Sequence, residues 1–127
     1  MNTALFITML LFKILVVESH GVPTTLHKDG VSYGYFGLTK KACQEVDAQF
    51  PPATPKDEFV AAKAYLTLMK KRHNCDWLTA AGWYHGGDEE RREAYIDKLM
   101  QVKPEDNWDA LNVFENIINY DSLQEEE

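Results

Sequence analysis

Residues 75–87 read Cys75-Asp76-Trp77-Leu78-Thr79-Ala80-Ala81-Gly82-Trp83-Tyr84-His85-Gly86-Gly87. Aromatic side chains favour pleated, half-buried surfaces, and a glycine pair marks a turn, so Trp77 to Tyr84 reads as a strand. A second strand is predicted over Val31-Ser32-Tyr33-Gly34-Tyr35-Phe36, where Val31, Tyr33 and Tyr35 alternate onto one side before Gly37 ends the run. Around these strands the pattern is helical. Thr39 caps a helix through Phe50 that carries Ala42, Cys43 and Val46 on one face. Pro51-Pro52 breaks it, and Thr54-Pro55-Lys56-Asp57 opens the next with a capping hydroxyl, a proline at the first helical position and an early acid. Phe59, Ala62, Leu66 and Met69 line that helix, and Lys70-Lys71-Arg72 suit the negative end of its dipole.

Past Gly87, Asp88-Glu89-Glu90-Arg91 opens a helix with Tyr95, Ile96, Leu99 and Met100 inward, stopped at Lys103-Pro104. A last helix carries Trp108, Leu111, Phe114 and Ile118. The predicted fold class is therefore α+β: one small domain with two helices and short strands, followed by a helical C-terminal part. The alternative is a mostly α four-helix bundle, with helices at 39–50, 55–74, 88–102 and 107–120.

The chain opens on Ala4–Val17, ALFITMLLFKILVV, broken only by Lys13 and followed by polar Glu18, Ser19 and His20. A membrane span needs about 20 apolar residues, so the run has the length of a signal-peptide core. Small Ser19 and Gly21 suit the cleavage positions, which makes residues 1–21 a predicted signal peptide and Val22 the new N-terminus. Residues 22–30 read as an extended leader, 31–120 as the single secreted domain and 121–127 as an acidic tail. The mature chain has no membrane span in this reading.

The 127 residues carry a formal charge of −7, which Lys13 and Glu18 leave unchanged because they cancel. An acidic chain repels phosphate backbones, so nucleic acid is not an expected partner. Two cysteines occur, Cys43 and Cys75. In an oxidising compartment an isolated pair most simply forms a disulfide, and such a bridge would stabilise the domain by about 3–4 kcal/mol on the chain-entropy model.

Catalytic signatures are sparse. No GxSxG, P-loop or GxGxxG run occurs, and no histidine lies three or four residues from another. His85 with Asp88 and Glu89 across Gly86-Gly87 could gather an imidazole and carboxylates about a cation, although a helix start explains the same acids. Glu105-Asp106-Asn107 is a hard-oxygen cluster of the type calcium takes, and is equally suited to capping the helix at Trp108. Trp83 and Tyr84 are candidate ligand contacts, with core packing as the commoner fate of such rings.

Leu38-Thr39, Ala42-Cys43, Asp47-Ala48, Ala53-Thr54-Pro55, Ala61-Ala62, Cys75 and Ala81-Gly82-Trp83 follow a strand–helix–helix–strand order. Over about residues 31–84 this pattern resembles the N-terminal half of the C-type lectin-like superfamily, which includes the hyaluronan-binding Link modules. The resemblance implies an extracellular domain that binds glycan or protein. The family's four cysteines are two here and its EPN, QPD and WND motifs are absent, so sugar and calcium binding do not carry over residue by residue. The expectation is a secreted, non-enzymatic protein, a binding or extracellular-matrix component whose partner is an extracellular protein or glycan. The alternatives are a toxin-like secretion component or a small secreted enzyme with a site near His85.

Overall fold

The computed structural model describes residues 2–119. Tyr120 and the predicted acidic tail at 121–127 lie outside the described residues. Six α-helices follow one another: α1 Thr3–Ser19, α2 Lys40–Glu45, α3 Pro55–His73, α4 Trp77–His85, α5 Glu89–Gln101 and α6 Trp108–Ile118, with a 3-10 turn at Pro104–Asp106 before the last. Among the described residues there is no strand, only isolated bridges from Tyr33 to Leu26 and to Leu38. The α+β class predicted from the sequence is thus corrected to all-α. Helices α2, α3, α5 and α6 fall within the four spans of the helical alternative, and α1 and α4 join them.

Both predicted strands fail for local reasons. Asp76 caps α4 by accepting the Thr79 N–H at 2.7 Å, and Ala80, Ala81 and Gly82 behind it are buried. Alanine is the best helix former, and small residues let α4 lie close against α3 and α5. A Cβ on Gly82 would come within 3.0 Å of the Ile96 Cδ1. The aromatic residues that suggested a strand flank this small-residue surface. In the 31–36 segment, Gly34 and Gly37 take φ of 78° and 62°, a left-handed conformation that interrupts an extended run.

Helix α1 is apolar on every side, a pattern that in a water-soluble fold belongs at the centre. Ile7, Leu10, Leu11, Phe12, Ile14, Leu15 and Val16 are all buried, with Leu11, Ile14 and Leu15 wholly inaccessible. The helix packs on α5 and α6, and the Phe12 ring meets Phe114 edge-on at a centroid distance of 5.6 Å. Phe114 also contacts Phe59 and Phe36, so one aromatic cluster joins α1, α3, α6 and the loop before α2. The run that reads as a removable leader is the central helix of this core, and Gly21, the expected cleavage position, is buried. Among the described residues no helix is long and apolar enough to cross a membrane.

Residues 22–30, expected as an extended leader, bend into a bridged turn. The His27 N–H donates to the Ser32 carbonyl at 2.8 Å, and Asp29 accepts from the Val31 and Ser32 N–H groups at 2.9 and 2.8 Å. Both thiols, Cys43 and Cys75, are free in the structure. Cys43 points from α2 into the core, whereas Cys75 sits half-buried in the turn between α3 and α4.

Truncating Leu15 to alanine removes a fully enclosed side chain. Leu15→Ala is expected to lower unfolding stability by about 3 kcal/mol in urea titration; a loss below about 1 kcal/mol would place this residue outside the core.

Candidate acid–base site

The all-apolar character of α1 stops at its last turn. Glu18 follows Val16 and Val17 there, and the helix closes at His20 in the left-handed conformation. The carboxyl of Glu18 is half-buried rather than solvated. Its Oε2 accepts a 2.9 Å hydrogen bond from the hydroxyl of Tyr95, a buried α5 residue. Its Oε1 lies beside Gly37, where a Cβ would overlap the carboxylate, so only glycine permits this approach. Burial pushes the Glu18 carboxyl above its usual range; the Tyr95 hydrogen bond and the nearby His27 pull back, and the charge of Asp29 pushes further up.

Gly37 ends a short turn, 34–37, closed by paired hydrogen bonds between the backbones of Tyr33 and Leu38 at 2.8 and 2.9 Å. Side chains from three other segments hold the turn. Glu58 on α3 accepts the Phe36 N–H at 2.7 Å, the Tyr84 hydroxyl on α4 donates to the Phe36 carbonyl at 2.7 Å, and His27 Nε2 donates to the Gly34 carbonyl at 2.7 Å. Glu58 is 4% exposed and packs so closely on Gly34 that a Cβ there would overlap it. Burial raises its carboxyl to about 7, against the lowering effect of the Phe36 and Tyr35 N–H groups. Tyr84 is held well above the usual phenol range, first by burial and then by Glu18, Glu58 and Cys43. The turn therefore lies between two partly desolvated acids, with one phenol feeling both.

Asp29 has the opposite environment. It is exposed, and hydrogen bonds from the Ser32 hydroxyl and from the Ser32 and Val31 N–H groups hold it down at about 2. Hydrogen bonding thus favours the Asp29 anion, whereas burial disfavours the Glu18 anion.

The residues singled out from the sequence are dispersed around this centre. His85 lies on the surface with its ring stacked on Tyr95 at 4.4 Å and 10°, which lowers its basicity through partial burial and then the charges of Lys98 and Arg91. It touches the phenol that orients Glu18. Asp88, by contrast, caps α5 by accepting the Arg91 N–H at 2.9 Å, and Glu89 sits in the first turn of that helix. Glu105 and Asp106 form the 3-10 turn, and the Asn107 side chain donates to the Lys103 carbonyl at 2.8 Å. No group of three or more His, Cys, Asp or Glu residues capable of holding a metal occurs among the described residues; of the metal candidates, His85 stacks on Tyr95, Asp88 caps α5, and Glu105 and Asp106 lie in the 3-10 turn. Trp83 stacks in parallel on His73 at 3.7 Å and carries the Arg92 guanidinium at 3.7 Å, which makes it a pin between α3, α4 and α5. Tyr84 is 8% exposed and holds the turn from α4 through its hydroxyl.

Glu18, Glu58, Gly34, Gly37 and Tyr95 were not anticipated as a group. One signal was present: Glu58 lies four and eight positions before Ala62 and Leu66, on the apolar stripe of α3, where an acid is out of place. Neither a family model, nor a curated protein, nor a solved structure matches the chain.

An acid whose folded value lies above its unfolded one binds more protons in the native state, so stability falls as pH rises between the two values. Glu58 should therefore cost stability progressively from pH 4.5 to about 7, on the order of 3 kcal/mol in full. Urea titrations across that range should show the decline, and Glu58→Gln should flatten it; a wild-type curve already flat there would contradict the burial of this acid.

Proposed function

We propose that the protein is an acid–base enzyme that cleaves glycosidic bonds, with Glu18 as its proton donor, rather than a non-enzymatic binding component. The observation that carries the reading is the environment of Glu18: a half-buried carboxyl whose charged form burial disfavours, one oxygen fixed by Tyr95, the other beside the bare backbone of Gly37. A general acid must be protonated at working pH, held in one orientation and reachable by the leaving group.

The glycosidic bond is favoured because an acetal needs little else. Cleavage takes a proton on the departing oxygen and negative charge near the cationic ring, and pairs of carboxyls with widely separated proton affinities supply both. Glu18 and Asp29 are such a pair, close enough to interact. In the reaction Glu18 protonates the bridging oxygen as the carbon–oxygen bond breaks, while Asp29 stabilises the positive charge on the ring. The Glu18 carboxylate then accepts a proton from the attacking water, which restores the acid and leaves a hydroxyl on each fragment. The buried Cys43 has its thiol pushed up by burial and then by Glu58, which disfavours the thiolate that a cysteine nucleophile requires.

His85 stacks on Tyr95, the phenol that hydrogen-bonds Glu18, so the reading develops the expected alternative of a small enzyme near that residue. It also requires residues 3–19 in the working protein, because cleavage after Gly21 would remove Glu18.

Glu18→Gln keeps the shape and removes the proton. Turnover of a panel of nitrophenyl glycosides and chromophore-tagged oligosaccharides should fall by about 100-fold or more with the thermal midpoint within a few degrees of wild type. Equal turnover by the variant, or none by the wild type on any member of the panel, would sink the proposal.

A further inference from the structure

Glu58 is a buried, titratable group that the proposed reaction does not use. It is 4% exposed, and both of its hydrogen-bond partners, the Tyr35 and Phe36 N–H groups, belong to one short turn. We propose that Glu58 is the positioning residue for Glu18: its carboxyl fixes the Gly34–Gly37 turn, and Gly37 at the far end of that turn in turn fixes the Glu18 carboxyl. The inference rests on the reading of Glu18 as the acid, and deepens it.

The geometry is continuous from one acid to the other. Gly34 is pressed onto Glu58 and Gly37 onto Glu18, with neither contact leaving space for a side chain. Between them the Phe36 peptide is gripped at both ends, its N–H by Glu58 and its carbonyl by Tyr84. A turn with its polar groups fixed by side chains from α3 and α4 has little freedom to shift alone, so displacement at one glycine is transmitted to the other. The titratable groups facing Glu58 are Tyr35 of the turn, Cys43 of α2 and Tyr84 of α4, and Tyr84 also senses Glu18. At the pH values of interest these phenols and the thiol stay neutral, since burial raises all three. His27, whose Nε2 donates to the Gly34 carbonyl, and Glu18, packed on Gly37, also face the turn, so an inflection in the turn is assigned to Glu58 by its loss in Glu58→Gln.

The coupling is testable by NMR without any substrate. In the full chain, the amide shifts of Phe36 and Gly37 are followed from pH 4 to 9 together with the side-chain carboxyl carbons of Glu18 and Glu58. Phe36 and Gly37 should share the Glu58 midpoint, and in Glu58→Gln that inflection should vanish while the Glu18 midpoint moves by about half a pH unit or more. Glu58→Asp, which keeps the charge but withdraws it by one methylene, should also displace the Glu18 midpoint, and it serves if the glutamine variant does not fold. On whichever glycoside the wild type turns over, Glu58→Gln should lower kcat about tenfold with KM within about twofold. A Gly37 amide that ignores the Glu58 midpoint in wild type, or a Glu18 midpoint unmoved in both variants, would overturn the coupling. Loss of turnover on Glu18→Gln with no effect of Glu58 variants would leave Glu18 as the acid and remove only Glu58's role.

Discussion

A helix that is apolar on every face has to be surrounded, and the rest of the fold is arranged around that requirement. Ile7, Leu10, Leu11, Phe12, Ile14, Leu15 and Val16 are enclosed along α1, and burying each such side chain is worth about 2 kcal/mol. Their combined contribution is on the order of the whole net stability of a small domain. Helices α5 and α6 pack directly on α1, and the aromatic cluster of Phe12, Phe36, Phe59 and Phe114 ties α3 and the loop before α2 to the same centre.

The position of the candidate site follows from that burial. Glu18 is the first acid of the chain and directly follows the apolar run Ile14–Val17, so the helix that cannot leave the core carries its carboxyl to the core's edge. There the acid is half-buried, and burial raises its carboxyl. Polar groups at this edge are satisfied by one another: Tyr95 on Glu18, Glu58 and Tyr84 on the Phe36 peptide, His27 on Gly34. Among the described residues no buried side-chain nitrogen or oxygen lacks a hydrogen-bond partner. Such full satisfaction holds a polar site rigid, which is what proton transfer at a fixed distance demands.

Helix starts were legible because capping is local. Thr39, Thr54, Asp76 and Asp88 each accept an N–H three residues on, and the spans read around Thr39, Thr54 and Asp88 hold helices. Asp76 carried the same signal, but the rings of Trp77, Trp83 and Tyr84 outweighed it, and α4 read as a strand. Those rings pack outside a small-residue helix face, a tertiary arrangement that β propensity does not see. The lectin-like pattern depended on the two misread strands. The site was less legible than the fold. Glu18 lay inside a segment whose length and composition fit a signal peptide, and a core helix of this length has the same composition. His85 drew notice for its glycine neighbours, yet its relation to Glu18 runs through the ring of Tyr95, ten residues further along the chain. Glu58 and Gly37 meet Glu18 only once α1, α3 and the turn are packed together.

The core and the candidate site both depend on α1 belonging to the folded protein. The direct measurement compares the full chain with residues 22–127 by far-UV circular dichroism and urea titration. Without α1 the shorter chain should lose its cooperative transition and much of its helix signal, since the core it leaves has no centre. A fragment 22–127 that unfolds cooperatively, with the helicity of its five remaining helices intact, would contradict a core built on α1 and a site built on Glu18.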